Sequence, residues 1–160
     1  MKISRLLLVP IVLAGSLSGF AQAIKEVPLP ASQNPNNSVL PIAGANWVGN
    51  TLYVSGWLDP DIKSHPDTKS QTEGILKDLQ AFLATQKLTF ANIAMMRVFL
   101  GADPAKDNKM DVAGMTAAYT QFFGTKEQPH KPARTTLSVV LPAASRGALV
   151  EIDLVAVREK

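Results

Sequence analysis

Leu149-Val150-Glu151-Ile152-Asp153-Leu154-Val155-Ala156-Val157 alternates almost residue by residue. On an extended chain Val150, Ile152, Leu154 and Ala156 share one face, and Leu149, Glu151, Asp153 and Val155 the other. The reading is a strand over 148–157 with one face under a packed layer and two acids among apolar residues on the opposite face. Upstream, 133–141 is also strand-like and 142–147 reads as a turn, so the two segments read as a hairpin. Pro129 and Pro132 enforce an extended lead-in. Before them, Met115, Ala118, Tyr119 and Phe122 share one face of a helix over about 108–123, which Gly124 stops. Residues 93–100 form a compact apolar strand interrupted by Arg97. A longer helix starts at Asp67 or Thr68, with Ile75, Leu79, Phe82 and Leu83 at i, i+4, i+7 and i+8. Glu73 and Lys77 are spaced for an i,i+4 pair. Gly74 weakens this helix by about 1 kcal/mol relative to alanine and marks a tight approach to another element. Trp47-Val48 and Thr51-Leu52-Tyr53-Val54-Ser55 flank Gly49-Asn50, a two-residue hairpin signal. The prolines and asparagines of 28–37 read as an extended loop. Hairpin, helix, strand, helix, hairpin is an α+β pattern: a single sheet with both helices packed on one face.

The chain has 160 residues, 46% of them apolar and 18% charged, with a net charge of +3 and no cysteine. This length suits one domain with a real core. Without cysteine there is no disulfide framework, thiolate metal site or thiol nucleophile. Lys2 and Arg5 precede the apolar run Leu6-Leu7-Leu8-Val9-Pro10-Ile11-Val12-Leu13-Ala14, and Ala21-Gln22-Ala23 follows. This is the order of a secretory signal peptide over 1–23, leaving a single domain over 24–160. The run is shorter than the roughly 20 residues of a membrane span, so no stable anchor is expected. The expected location is periplasmic or secreted, with Ile24 as the new amino terminus. Residues 24–160 carry 14 basic and 13 acidic side chains. Such a balance, without a basic cluster, does not support nucleic acid binding.

No phosphate loop, His-Glu-x-x-His or Gly-x-Ser-x-Gly occurs. His65 and His130 sit in separate polar loops and read as surface residues. What remains is a set of charged residues inside apolar strands: Arg97, Arg134 and Glu151. A guanidinium stays charged in a protein, so each arginine needs a carboxylate, carbonyls, water or an anionic ligand. Arg97 reads as solvent-facing. For Arg134 and Glu151, an intramolecular ion pair and a ligand site fit the residues equally well.

Six segments carry, in their order and spacing, a resemblance to a known family. They are Asn50-Thr51-Leu52-Tyr53-Val54-Ser55-Gly56, Thr68-x-x-Gln71-Thr72-x-x-Ile75-Leu76, Val98-Phe99-Leu100, Tyr119-x-x-Phe122-Phe123, Pro132-Ala133-Arg134-Thr135-Thr136, and 149–156. Together they resemble the Rid family, also called YjgF-type or L-PSP endoribonuclease-like proteins, over about residues 38–157. The resemblance implies a chorismate-mutase-like α+β fold, a homotrimer, and clefts between subunits. It implies that Arg134 binds the carboxylate of a 2-imino acid and that Glu151 positions or activates the attacking water. Ser55 and Gly56 would line the same pocket, and neither metal nor cofactor is implied.

The chain also departs from the deaminating pattern. Ile42 stands where those members carry a pocket tyrosine, and Thr116 where they carry a pocket asparagine. The expected function is hydrolysis of small 2-imino acids to 2-keto acids and ammonia. The alternative is a trimeric protein that binds small carboxylates without turning them over. A ribonuclease has less support, since the chain lacks both a basic surface and an evident acid–base pair for RNA cleavage.

Overall fold

The computed structural model describes residues 23–142, 145 and 147–159; apart from Ala23, the expected leader lies outside the described residues. Six strands form one sheet: β1 (Ile24–Val27), β2 (Ala45–Val48), β3 (Thr51–Trp57), β4 (Ile93–Leu100), β5 (Ala133–Ser138) and β6 (Val150–Val157). Their spatial order is β1-β2-β3-β6-β4-β5, antiparallel throughout except for the parallel β4–β5 pair. Helices α1 (Thr68–Thr85) and α2 (Val112–Tyr119) pack together over one face, making the expected α+β architecture.

The alternation of β6 governs the packing. Val150, Ile152, Leu154 and Ala156 are buried beneath the helices with Met96, Val98 and Leu100 of β4. Ile75, Leu79, Phe82 and Leu83 of α1 close this core from above. The β2–β3 hairpin turns at Gly49, whose φ of +58° suits glycine. Asp67 caps α1 in a reciprocal arrangement with Ser70. Buried Gln71 donates Nε2 to the carbonyls of His65 and Gly147 and accepts from the Leu149 amide, tying the β3–α1 loop to the start of β6.

Four expectations need correction. β5 and β6 are not a hairpin: β6 inserts between β3 and β4, while β5 lies beyond β4 at the edge. The physical reason is burial, because β6 offers a continuous apolar face and the mostly exposed Ala-Arg-Thr-Thr-Leu-Ser of β5 does not. Helix α2 begins at Val112, capped by Asp111, because Asp107 and Asn108 adopt left-handed conformations and Asp103 pairs with Lys109 in a short bridge. Glu73 pairs with Lys69 at 3.7 Å and accepts from Gln121, rather than pairing with Lys77. His65 is half-buried, its Nδ1 2.6 Å from the buried Asp59 carboxylate. Gly74 permits that pair: a Cβ there would overlap the Asp59 side chain, which is the close approach its position in the helix suggested.

Strand β1 has no counterpart among the expected elements. It starts at Ile24, immediately after the expected cleavage point, and pairs along β2.

Candidate functional site

Glu151 sits opposite Phe99 of β4, between the buried Val150 and Ile152, so it faces away from the helices. On the neighbouring strand β3 the register shifts between Val54 and Trp57, a bulge that contains Ser55 and Gly56. The bulge brings the Gly56 backbone against the acid: a Cβ on Gly56 would overlap Glu151 Oε1. Ser55 donates its hydroxyl to the Ala43 carbonyl at 2.7 Å and its amide to Gly44, fastening the bulge to the loop before β2. That loop carries Ile42, which is exposed and lines a cavity of about 330 Å³ together with Pro28 and Leu40. Ser55, Gly56 and Glu151 therefore belong to one neighbourhood, and Ile42 joins it through the adjoining Ala43 and Gly44, although the cavity it lines includes none of the three.

Its electrostatics are those of a half-buried acid. Burial pushes the Glu151 carboxyl up from its ordinary value, and the Asp153 carboxylate on the same face adds to the shift. Asp153 itself is paired: Arg97, directly across on β4, donates Nε to it at 2.8 Å. Arg97 is exposed, as its sequence reading requires, and it also holds a partner.

Arg134 lies elsewhere. Its register partner is the buried Met96, itself opposite the buried Leu154, so Arg134 projects on the helix-covered side at the sheet edge. There its guanidinium carbon stands 4.5 Å from the Tyr119 ring centroid, and Nη1 is 3.7 Å from Met115 Sδ. Burial pushes the Tyr119 phenol up from its ordinary value, and the nearby Arg134 charge partly offsets this. Thr116 occupies the same helix between these two contacts, and Thr136 shares the face of Arg134 two residues along β5. Among the described residues no carboxylate lies within salt-bridge reach of Arg134. The internal Arg134–Glu151 ion pair is thus excluded by geometry, since the two side chains leave opposite faces of one sheet.

The expected site residues fall into two groups in a single chain. One is Ile42, Ser55, Gly56 and Glu151; the other is Arg134 and Thr116. The first can hold a water beside a carboxylate with a raised proton affinity, and the second can grip an anion. Around Glu151 the outer face is rich in apolar side chains, with Tyr53, Leu137 and Val157 exposed and Met95, Phe99 and Val155 half-covered. Met115 and Tyr119 were legible as one helical face, but as core residues; their contact with Arg134 depends on the parallel β4–β5 pairing, which no local pattern announces.

Comparison with known proteins gives a consistent picture. The family described as Endoribonuclease L-PSP matches residues 37–158. A RutC family protein of Sulfurisphaera tokodaii is 33% identical over 120 residues, covering 72% of this chain and 86% of the relative. Among solved structures, the Rid family protein YyfA of Yersinia pestis, described as of unknown function, is 26% identical with a TM-score of 0.64. That match covers 85% of this chain and 100% of the other. Escherichia coli TdcF, solved with bound serine, is 23% identical with a TM-score of 0.64 and covers 84% of this chain and 100% of its own.

Proposed function

This chain belongs to the endoribonuclease L-PSP family, the Rid or YjgF-type proteins, and from that premise we propose that it hydrolyses small 2-imino acids to 2-keto acids and ammonia. The observation that carries the reading is Arg134: a guanidinium at the sheet edge with its charge uncompensated by any described carboxylate. A bidentate grip on a substrate carboxylate is what such a group offers. The serine held by the Escherichia coli relative is a ligand with a carboxylate of the same kind.

In the proposed reaction Arg134 fixes the carboxylate and thereby orients the adjacent C=N carbon. Glu151 takes a proton from water as the oxygen bonds to that carbon, and the C=N electron pair passes to nitrogen, which receives that proton from Glu151. In the collapse of the carbinolamine Glu151 takes the hydroxyl proton and passes it to the departing amine as the C=O bond forms and the C–N bond breaks, releasing ammonia and the keto acid. Glu151 suits the role of base because burial raises its proton affinity.

Arg134 and Glu151 leave opposite faces of the sheet, so the site is assembled between copies, Arg134 from one and Glu151 from its neighbour. The uncovered apolar side chains beside Glu151 supply a surface for that contact. A homotrimer is the assembly we propose, exported and cleaved after Ala23. The competing reading, a trimer that only binds small carboxylates, draws on Ile42 and Thr116, whose side chains give the pocket fewer polar groups than tyrosine and asparagine would.

The test couples an amino-acid oxidase to this protein and follows disappearance of the released imine. Acceleration proportional to protein concentration is expected. Binding of a keto acid with no acceleration would replace catalysis by capture.

A further inference from the structure

Two arginines on adjacent strands of this sheet are held in different ways. Arg97 is ion-paired to Asp153 at 2.8 Å. Arg134 rests over an aromatic ring and beside a thioether. The distinction has a chemical consequence. A carboxylate partner would hold the guanidinium firmly but occupy its donors and neutralise it. A π face attracts the cation while leaving its formal charge intact and its donors available to an incoming anion.

The ring is itself fixed. Tyr119 stacks on Phe123 at 4.5 Å between centroids and 27° between planes. Phe123 stacks on Phe90 at 4.9 Å and 28°. Phe90 and Phe123 are both buried, and Phe90 opens the short 3-10 turn that leads into β4. Met115, fully buried one helical turn before Tyr119, places its sulfur 3.7 Å from Arg134 Nη1. The aromatic series thus runs from the core under β4 to the cation on β5.

We propose that Tyr119 is the positioning residue of the anion site: its ring, braced by Phe123 and Phe90, holds Arg134 in place without quenching it. The proposal rests on the reading of Arg134 as the carboxylate anchor and adds the device that keeps that anchor free. It requires the π electrons of the ring rather than its hydroxyl.

The test uses pyruvate, a stable 2-keto acid, as the probe, with dissociation constants from calorimetry on purified protein. Melting temperature and oligomeric state are measured on every variant. Tyr119→Leu is expected to weaken pyruvate binding about five- to thirtyfold, and Tyr119→Phe to stay within about twofold of the original. Phenylalanine carrying one, two or three ring fluorines at position 119 keeps the shape while draining the π face, so affinity should fall stepwise along that series. A flat fluorination series, with Arg134→Ala abolishing binding, overturns the role of Tyr119 and leaves the anchor standing. Unchanged pyruvate binding in folded Arg134→Ala overturns the anchor itself, and the inference with it.

Discussion

Arg134→Ala is expected to lower kcat/KM for imine hydrolysis by about 30- to 1000-fold, the 2–4 kcal/mol scale of a lost charge-assisted bidentate contact. Arg134→Lys should fail almost as badly, because an ammonium cannot reproduce the planar two-donor fork. Stability should hardly move. Arg134 is exposed on an edge strand, and its contacts are a cation–π approach and a weak thioether contact, together about 1 kcal/mol at such a site. Assaying imine hydrolysis and thermal unfolding on the same samples separates the outcomes. Lost activity at an unchanged melting temperature locates the anchor, and full activity in folded Arg134→Ala removes it.

Glu151→Gln should split activity from stability in opposite directions. Turnover is expected to fall by about 100- to 10000-fold with little change in KM, since the amide keeps the shape but cannot accept the proton from water. Stability should rise at neutral pH. The folded protein holds the Glu151 proton more tightly than the unfolded chain does, owing first to burial and then to Asp153. The contribution of this group to stability is therefore full below the unfolded value of about 4.3 and is lost as pH rises through the higher folded value. Above that range the glutamine variant escapes the penalty and should melt at a higher temperature. Near pH 3 the two proteins should melt together. A variant less stable than the original at pH 7 would mean that the charge of the neighbouring copy's Arg134 outweighs burial at this carboxyl.

The parts of the fold legible in the sequence were those with a local signal. The β2–β3 turn at Gly49, the α1 start beside Asp67, the span of β4 and the alternation of β6 all follow from contacts within a few residues. The strand order does not, because β6 reaches its central place through pairings with β3 and β4 that are distant in sequence. Strand β1 carries no such signal, because Ile24-Lys25-Glu26-Val27 is short and half polar, and its strand character comes from the β2 edge it joins. The site divides similarly. Arg134 and Glu151 stood out as charges in apolar surroundings, and family likeness assigned them roles. Their separation onto opposite faces follows from register, which sequence periodicity on each strand alone does not determine. The environment of Arg134 was hidden for the same reason: Met115 and Tyr119 read as core until the edge strand is set beside α2.

The shared site is the central claim, and subunit mixing tests it most directly. Arg134→Ala and Glu151→Gln chains, each inactive alone, are unfolded together in equal amounts, refolded, and assayed for imine hydrolysis. If each site takes Arg134 from one chain and Glu151 from its neighbour, every mixed trimer contains one site with both groups intact. Random assembly then restores about a quarter of the original activity. Activity no greater than the average of the two parent variants, in trimers shown to be mixed, would contradict a site built between copies.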